Sequence, residues 1–188
     1  MIRLLIGSIV AGLVQFIIGA IAWVSPTGKL AFTALDDAQT AQVQAALASG
    51  LGATGTGTYF IPTPETAAGT EMLGRGPVAL IHFNSSGFPP MDPGALLTGL
   101  LMSIATMLLV GLAVQRLPDF ASRMRTAVLF GAATVLYFVL AMPVFNTYMP
   151  WNWWVFLGVE EFIGFTVGAF VLIRWFMPRE AAPASALN

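Results

Sequence analysis

Two adjacent carboxylates, Glu160 and Glu161, lie near the middle of a long apolar run, Trp151 to Phe176. The run opens on Trp151, Asn152, Trp153 and Trp154 and closes with Arg174 and Trp175. About 26 residues of helix can cross a bilayer with some tilt. A carboxyl group in hydrocarbon costs about 3 kcal/mol on insertion scales. It therefore needs a polar partner, a proton or a water-filled cavity. Other polar groups come to a similar depth when each apolar run is counted from the same side, at about 1.5 Å per residue. They are Gln15, Ser103 and Tyr137, with Thr106 and Thr134 slightly deeper. Such a layer can serve as a proton relay, an ion site or the floor of a substrate cavity. It can equally be a structural hydrogen-bond layer that holds a bundle together. Interhelical hydrogen bonds are worth about 0.6–2 kcal/mol each, which offsets a neutral acid more readily than a charged one. On the sequence alone the structural layer is the preferred reading.

The two acids should not share a direction, because neighbouring helical positions diverge by about 100°. Glu160 lines up with Gly164 and Gly168, a GxxxG spacing that marks close helix contact. It is expected to point the deeper of the two into the bundle, with Glu161 turned toward Leu157 and Gly158. That divergence argues against a metal site, since helical ligand sets use positions three or four apart. No histidine lies in any apolar run. No metal and no cofactor is expected.

The remaining chemistry is sparse. His82, the single histidine, sits in a short strand-like segment and reads as a half-exposed strand residue. Asn84-Ser85-Ser86-Gly87 lacks the Gly-x-Ser-x-Gly nucleophile elbow. The glycine-threonine run Gly52–Gly57 lacks the Lys-Ser/Thr ending of a phosphate loop. No catalytic constellation is visible, so an enzyme ranks behind the other function classes.

The elements that must position these residues are membrane spans. Of 188 residues, 57% are hydrophobic and only 9% charged. Soluble domains carry about 25% charged residues, so lipid must be the solvent for much of this chain. A net charge of −1 excludes a nucleic-acid binder, which needs a concentrated basic face. The absence of cysteine excludes disulfides and thiolate chemistry. Residues 1–24, with the uncharged run Leu4–Val24, form the first span. A cleaved signal peptide is the alternative, given Arg3 and Ala20-Ile21-Ala22. The run is longer than a usual signal core, however, and one face collects Ser8, Ala11, Gly12, Gln15, Gly19 and Ala22. Gly12 and Gly19 on that face, like Gly164 and Gly168 in the last run, read as packing residues. Residues 94–114, 126–145 and 151–176 are the other three spans. Asp92 can cap the second, and Pro143 falls where a kink is tolerated.

Residues 25–93 differ in kind. Asp36 or Asp37 can cap a helix running through Val43 and Leu47 to Ser49. Thr58–Ile61 and Pro77–Phe83 read as short strands. Residues 115–125 form a short basic connection. The tail 178–188, rich in Ala and Pro, is expected to be disordered. The fold class is thus a mainly α membrane protein: a four-helix transmembrane bundle with a small extracytoplasmic α+β insertion between helices 1 and 2. Arg3, Arg116, Arg123, Arg125, Arg174 and Arg179 fall on one side, and only Lys29 and Arg75 on the other. The positive-inside rule then puts both termini in the cytoplasm.

With these elements placed, the chain resembles a loosely defined group of four-span bacterial inner-membrane proteins. The resemblance is carried by Gly57-Thr58-Tyr59-Phe60-Ile61-Pro62, by Gly76-Pro77-Val78-Ala79-Leu80-Ile81, and by Tyr148-Met149-Pro150-Trp151-Asn152-Trp153 ahead of a glycine-bearing last span. It implies the architecture and a bacterial inner membrane, and it transfers no functional residue. Two function classes fit. In the first, a non-enzymatic membrane protein binds a protein partner or envelope component through its outer domain. In the second, a small transporter or channel component uses Glu160 and Glu161. A four-span chain has no internal inverted repeat of the kind common in transporters, so the second class would call for a homo-oligomer.

Overall fold

A computed structural model describes residues 1–178. The expected disorder of the tail, from residue 179 on, lies outside the described residues. Four helical segments are long and apolar enough to cross a membrane: Ile2–Val24, Pro93–Val114, Phe120–Phe145 and Trp151–Phe176. The first is helix α1, Ile2–Val24, followed by a 3-10 turn over Pro26–Ala31. Between it and the second span the chain forms α2 (Asp37–Leu51), β1 (Gly57–Ile61), α3 (Ala67–Arg75) and β2 (Ala79–Phe83). Helix α4 (Pro93–Val114) is the second span. The third consists of α5 (Phe120–Thr134), a π-helical turn over Val135–Val139, and α6 (Ala141–Phe145). The fourth is α7 (Trp151–Val171), continued by a π-helical turn over Leu172–Phe176.

Contacts divide the chain into two compact units. The first comprises residues 1–32, 92–145 and 151 onward; the second comprises 33–91 and 146–150. In the first unit α1 is the central helix, packing extensively on both α4 and α7. Helix α5 leans on α7 and hardly touches α4.

Small residues set the closeness of these contacts. Gly168 backs onto α1: a Cβ built there would lie 3.1 Å from Ala11 O and 3.3 Å from Gln15 Cβ. Gly164 lies against Gln15, and Gly19 lies against Glu160. Large side chains on one helix thus meet glycines on the other at four-residue intervals. Gly12 does not belong to this seam. It faces α4, where a Cβ would stand 2.5 Å from Ile104 Cα. The small face of α1 therefore serves two neighbours rather than one.

Packing is uneven along the bundle. Leu4, Ala11, Met107, Val110, Val114, Ala127, Ala169, Leu172 and Ile173 are all buried. They belong to the N-terminal halves of α1 and α5, the C-terminal halves of α4 and α7, and the π-helical turn that continues α7, which lie at one end. Arg123 is buried at that end too, its Nε donating to Leu117 O at 2.9 Å and its Nη1 to Pro178 O. The opposite half is more loosely filled, and the polar layer lies toward it.

Several elements depart from the sequence reading. Strand β1 starts at Gly57 rather than Thr58, and β2 at Ala79 rather than Pro77. The third span starts at Phe120, not at residue 126, because Asp119 caps it: its side chain accepts from Ser122 N at 2.9 Å. Helix α3 is not expected from the sequence; Thr66 caps it by accepting from Gly69 N at 3.0 Å. Helix α2 runs past Ser49 to Leu51 from a capping box made by Asp36 and Gln39.

The second unit is built on the antiparallel pair β1–β2, with Thr58 opposite His82 and Tyr59 opposite Ile81. His82 Nδ1 lies 3.0 Å from Thr58 Oγ1, an exposed cross-strand pair. Tyr59 donates to Gly55 O at 2.6 Å, and the ring of Phe60 packs on Tyr148 at 5.1 Å. Helix α2 buries none of its residues.

Candidate functional site

Helices α4 and α5 contact each other only sparsely. Three adjoining cavities lie alongside α4. The first, about 520 Å³, is bordered by Gln15, Gly19, Trp23, Ser103, Thr106, Glu160 and Glu161, with Phe16, Leu96, Gly99 and Met102 among its apolar walls. The second, about 310 Å³, is bordered by Gln15, Thr106, Thr134 and Glu161 with Phe130, Gly131, Val135, Val139, Leu157 and Phe165. Gln15, Thr106 and Glu161 are common to both. The third, about 180 Å³, lies between α4 and α5 and is almost wholly apolar: Leu109, Val110, Ala113, Val114, Ala127 and Phe130, with Thr106 and Thr126. Thr106 borders all three.

Six of the seven residues that the sequence puts in one layer thus border the first two cavities. The seventh, Tyr137, does not. It is 67% exposed on the outer face of the third span, packed edge-on against Phe138 at 5.5 Å. It lies within the π-helical turn, and an i→i−5 bond, Leu140 N to Val135 O at 2.9 Å, widens the backbone there. Pro143, three residues beyond, cannot donate a helical hydrogen bond and crowds the carbonyl four residues back, which is Val139. A π turn relieves such crowding, and it rotates Tyr137 away from the position a regular helix would give it.

The two carboxylates also sit differently from the expectation. Glu160 is half-buried and turns toward Gly19 and Trp23; Glu161 is the more exposed. Yet both reach the first cavity, because the gap beside α7 is wide enough for two long side chains leaving the helix at different angles. Gln15 is not level with Glu160. It lies over Gly164, one helical turn away, and Gly19 is the residue opposite Glu160. Helices α1 and α7 are offset by a turn relative to a count from their ends.

Hydrogen bonding leaves this site rich in acceptors. Ser103 Oγ donates to Gly99 O at 3.0 Å, Thr106 Oγ1 to Met102 O at 2.9 Å, and Thr134 Oγ1 to Phe130 O at 2.9 Å. Each hydroxyl proton is committed to its own helix, so the hydroxyl oxygens offer only lone pairs. Gln15 Oε1 is buried and has no hydrogen-bond partner. An orphaned acceptor of this kind costs about 1–3 kcal/mol. No lysine, arginine or histidine borders any of the three cavities. No group of three or more acidic or histidine side chains could hold a metal ion among the described residues.

Trp23 is a wall residue that is not among the candidate site residues of the sequence. It joins an aromatic cluster, with ring centroids 5.2 Å from Trp153, 4.9 Å from Phe156 and 6.3 Å from Phe32. Nearby, Asn152 Nδ2 donates to Ala31 O at 3.1 Å. The same tryptophan also borders the acidic cavity. Its position one helical turn beyond Gly19 was the available signal.

Fold and site together define a multi-pass helical membrane protein with acidic side chains inside its apolar span region. No family model, curated protein or solved structure matches the chain.

Proposed function

We propose that this is a small integral membrane protein that holds a cationic ligand at Glu160 and Glu161 and works as a transporter or channel component. One observation carries the reading: Gln15, Ser103, Thr106, Thr134, Glu160 and Glu161, from all four spans, border two adjoining cavities that no cationic side chain borders. A purely structural hydrogen-bond layer would pair its members. Here the hydroxyls bond to their own helices and Gln15 Oε1 bonds to nothing. Intramembrane acids that face a cavity mark ion and substrate pathways. A cation in these cavities balances the carboxylates.

The setting of this function is a bacterial inner membrane, with both termini cytoplasmic and residues 25–93 extracytoplasmic. The clustering of Arg3, Arg116, Arg123, Arg125 and Arg174 on one side supports that orientation. One four-span copy lacks an internal repeat, so movement across the bilayer calls for a second copy. The test is binding of methylammonium to protein in nanodiscs. Wild type should bind it, and the Glu160→Gln/Glu161→Gln double variant should bind at least tenfold more weakly. Equal binding by the two would sink the reading.

A second reading concerns the outer unit. Helix α2 buries none of its residues and leaves Val43 half-exposed. An entire uncovered helix is a surface on which a protein partner or envelope component could dock without any enzymatic step. Cross-linking from Val43 in native membranes tests it; a Val43 adduct with a distinct protein supports the reading, and none argues against it.

A further inference from the structure

We propose that the ligand is an amphiphilic ammonium ion, with its head at Glu160 and Glu161 and its alkyl chain in the apolar chamber between α4 and α5. This rests on the cation-site reading above and narrows it to one chemical class. The chamber and the acidic cavities share Thr106, so the polar and apolar parts adjoin. From Thr106 to Val114 along α4 is eight residues, or about 12 Å at 1.5 Å per residue. That is the reach of an alkyl chain of about ten carbons. A small hydrated cation has no use for such a chamber. The walls also indicate the route. Leu109 on α4 is 68% exposed and Phe130 on α5 is 63% exposed, and both line the chamber. The gap therefore opens sideways, where an amphiphile already dissolved in the bilayer can move in without crossing water.

Charge decides the head group. Glu160 and Glu161 have no cationic neighbour on the cavity walls, so a phosphate or sulfate head would meet two acids and no donor of positive charge. An ammonium provides up to three N–H donors. Glu160 and Glu161, both bordering the first cavity, are the acceptors for them.

The experiment uses full-length protein in nanodiscs and a decylammonium probe with a diazirine at the chain end. Irradiation followed by mass spectrometry should find adducts on Leu109, Ala113 or Phe130. The adducts should fall at least tenfold in the Glu160→Gln/Glu161→Gln variant and with a decyl sulfate probe of the same chain. Ala113→Phe, which fills the chamber at an exposed position, should abolish labelling while methylammonium binding stays intact. Equal labelling by the sulfate probe would mean that the chamber takes any chain, and the proposal falls. Methylammonium binding that depends on the carboxylates, with no chamber adducts, would overturn this inference and leave the cation site standing. Loss of both would overturn the two together. If the double variant does not stay monodisperse, Ala113→Phe and the sulfate probe decide the matter.

Discussion

A Cβ built on Gly19 would stand 2.8 Å from Glu160 Oε1, so the carboxylate rests directly on the backbone of α1. Gly12, two turns earlier, would put its Cβ 2.5 Å from the backbone of Ile104. The two glycines look alike in the sequence and face different obstacles. A carboxylate is the far end of a flexible chain and can swing aside; a helix backbone cannot. Gly19→Ala should therefore melt within about 1 kcal/mol of wild type, while Gly12→Ala loses about 1–3 kcal/mol through overpacking. Thermal unfolding in mild detergent reads both. Equal losses would show that the register of α1 against its neighbours is wrong.

Glu160 should matter more than Glu161 for the integrity of the bundle, because it is the one packed against Gly19 and Trp23. Glu160→Gln keeps the shape and the hydrogen bonds of a protonated acid. Its melting should match wild type while methylammonium binding falls, since an amide cannot carry the compensating charge. Glu160→Leu should melt lower by about 1–2 kcal/mol. Should Glu160→Leu melt no lower than Glu161→Leu, the orientation of α7 would have to be revised.

Orientation has its own check. Reporter fusions at Thr40 should read extracytoplasmic, and fusions at Gln115 cytoplasmic, from the asymmetry of basic residues. A cytoplasmic signal at Thr40 would invert the layout. The acidic cavity would then face the other way.

Asp119 gives a pH dependence that can be assigned to one residue. Hydrogen bonds from the backbone and side chain of Ser122 hold its carboxyl below the ordinary value. A depressed folded pKa means that the stabilisation is present above the unfolded carboxylate range. It is lost as pH falls through the lowered folded value. Wild type should melt higher than Asp119→Ala at pH 6, and the gap should close as pH drops below about 4. A gap that persists at pH 2.5 would mean that the cap does not act through the carboxylate.

Much of this protein follows from composition and periodicity. Four predominantly apolar stretches of bilayer length can satisfy their backbone hydrogen bonds only as helices, so the number of candidate spans is written in the sequence. The depth of Gln15, Ser103, Thr106, Thr134 and Glu160 along their spans follows from a constant rise per residue. Asp36 with Gln39 announces the start of α2 by local chemistry alone. What a one-dimensional count cannot supply is rotation and offset. Tyr137 has the right depth but faces outward, because a π-helical turn next to Pro143 breaks the regular period. Gln15 meets Gly164 instead of Glu160, because the sliding of α1 along α7 is set by which glycines admit which side chains. The gap between α4 and α5, which makes the apolar chamber, has no signature in either helix. It arises because α1 fits both α4 and α7 closely, through Gly12 on one face and Gly164 and Gly168 on the other, while α4 and α5 have no such match. Depth is a property of one helix and can be read from its residues. Which helices close upon each other depends on the fit of two surfaces, and only the folded bundle decides it.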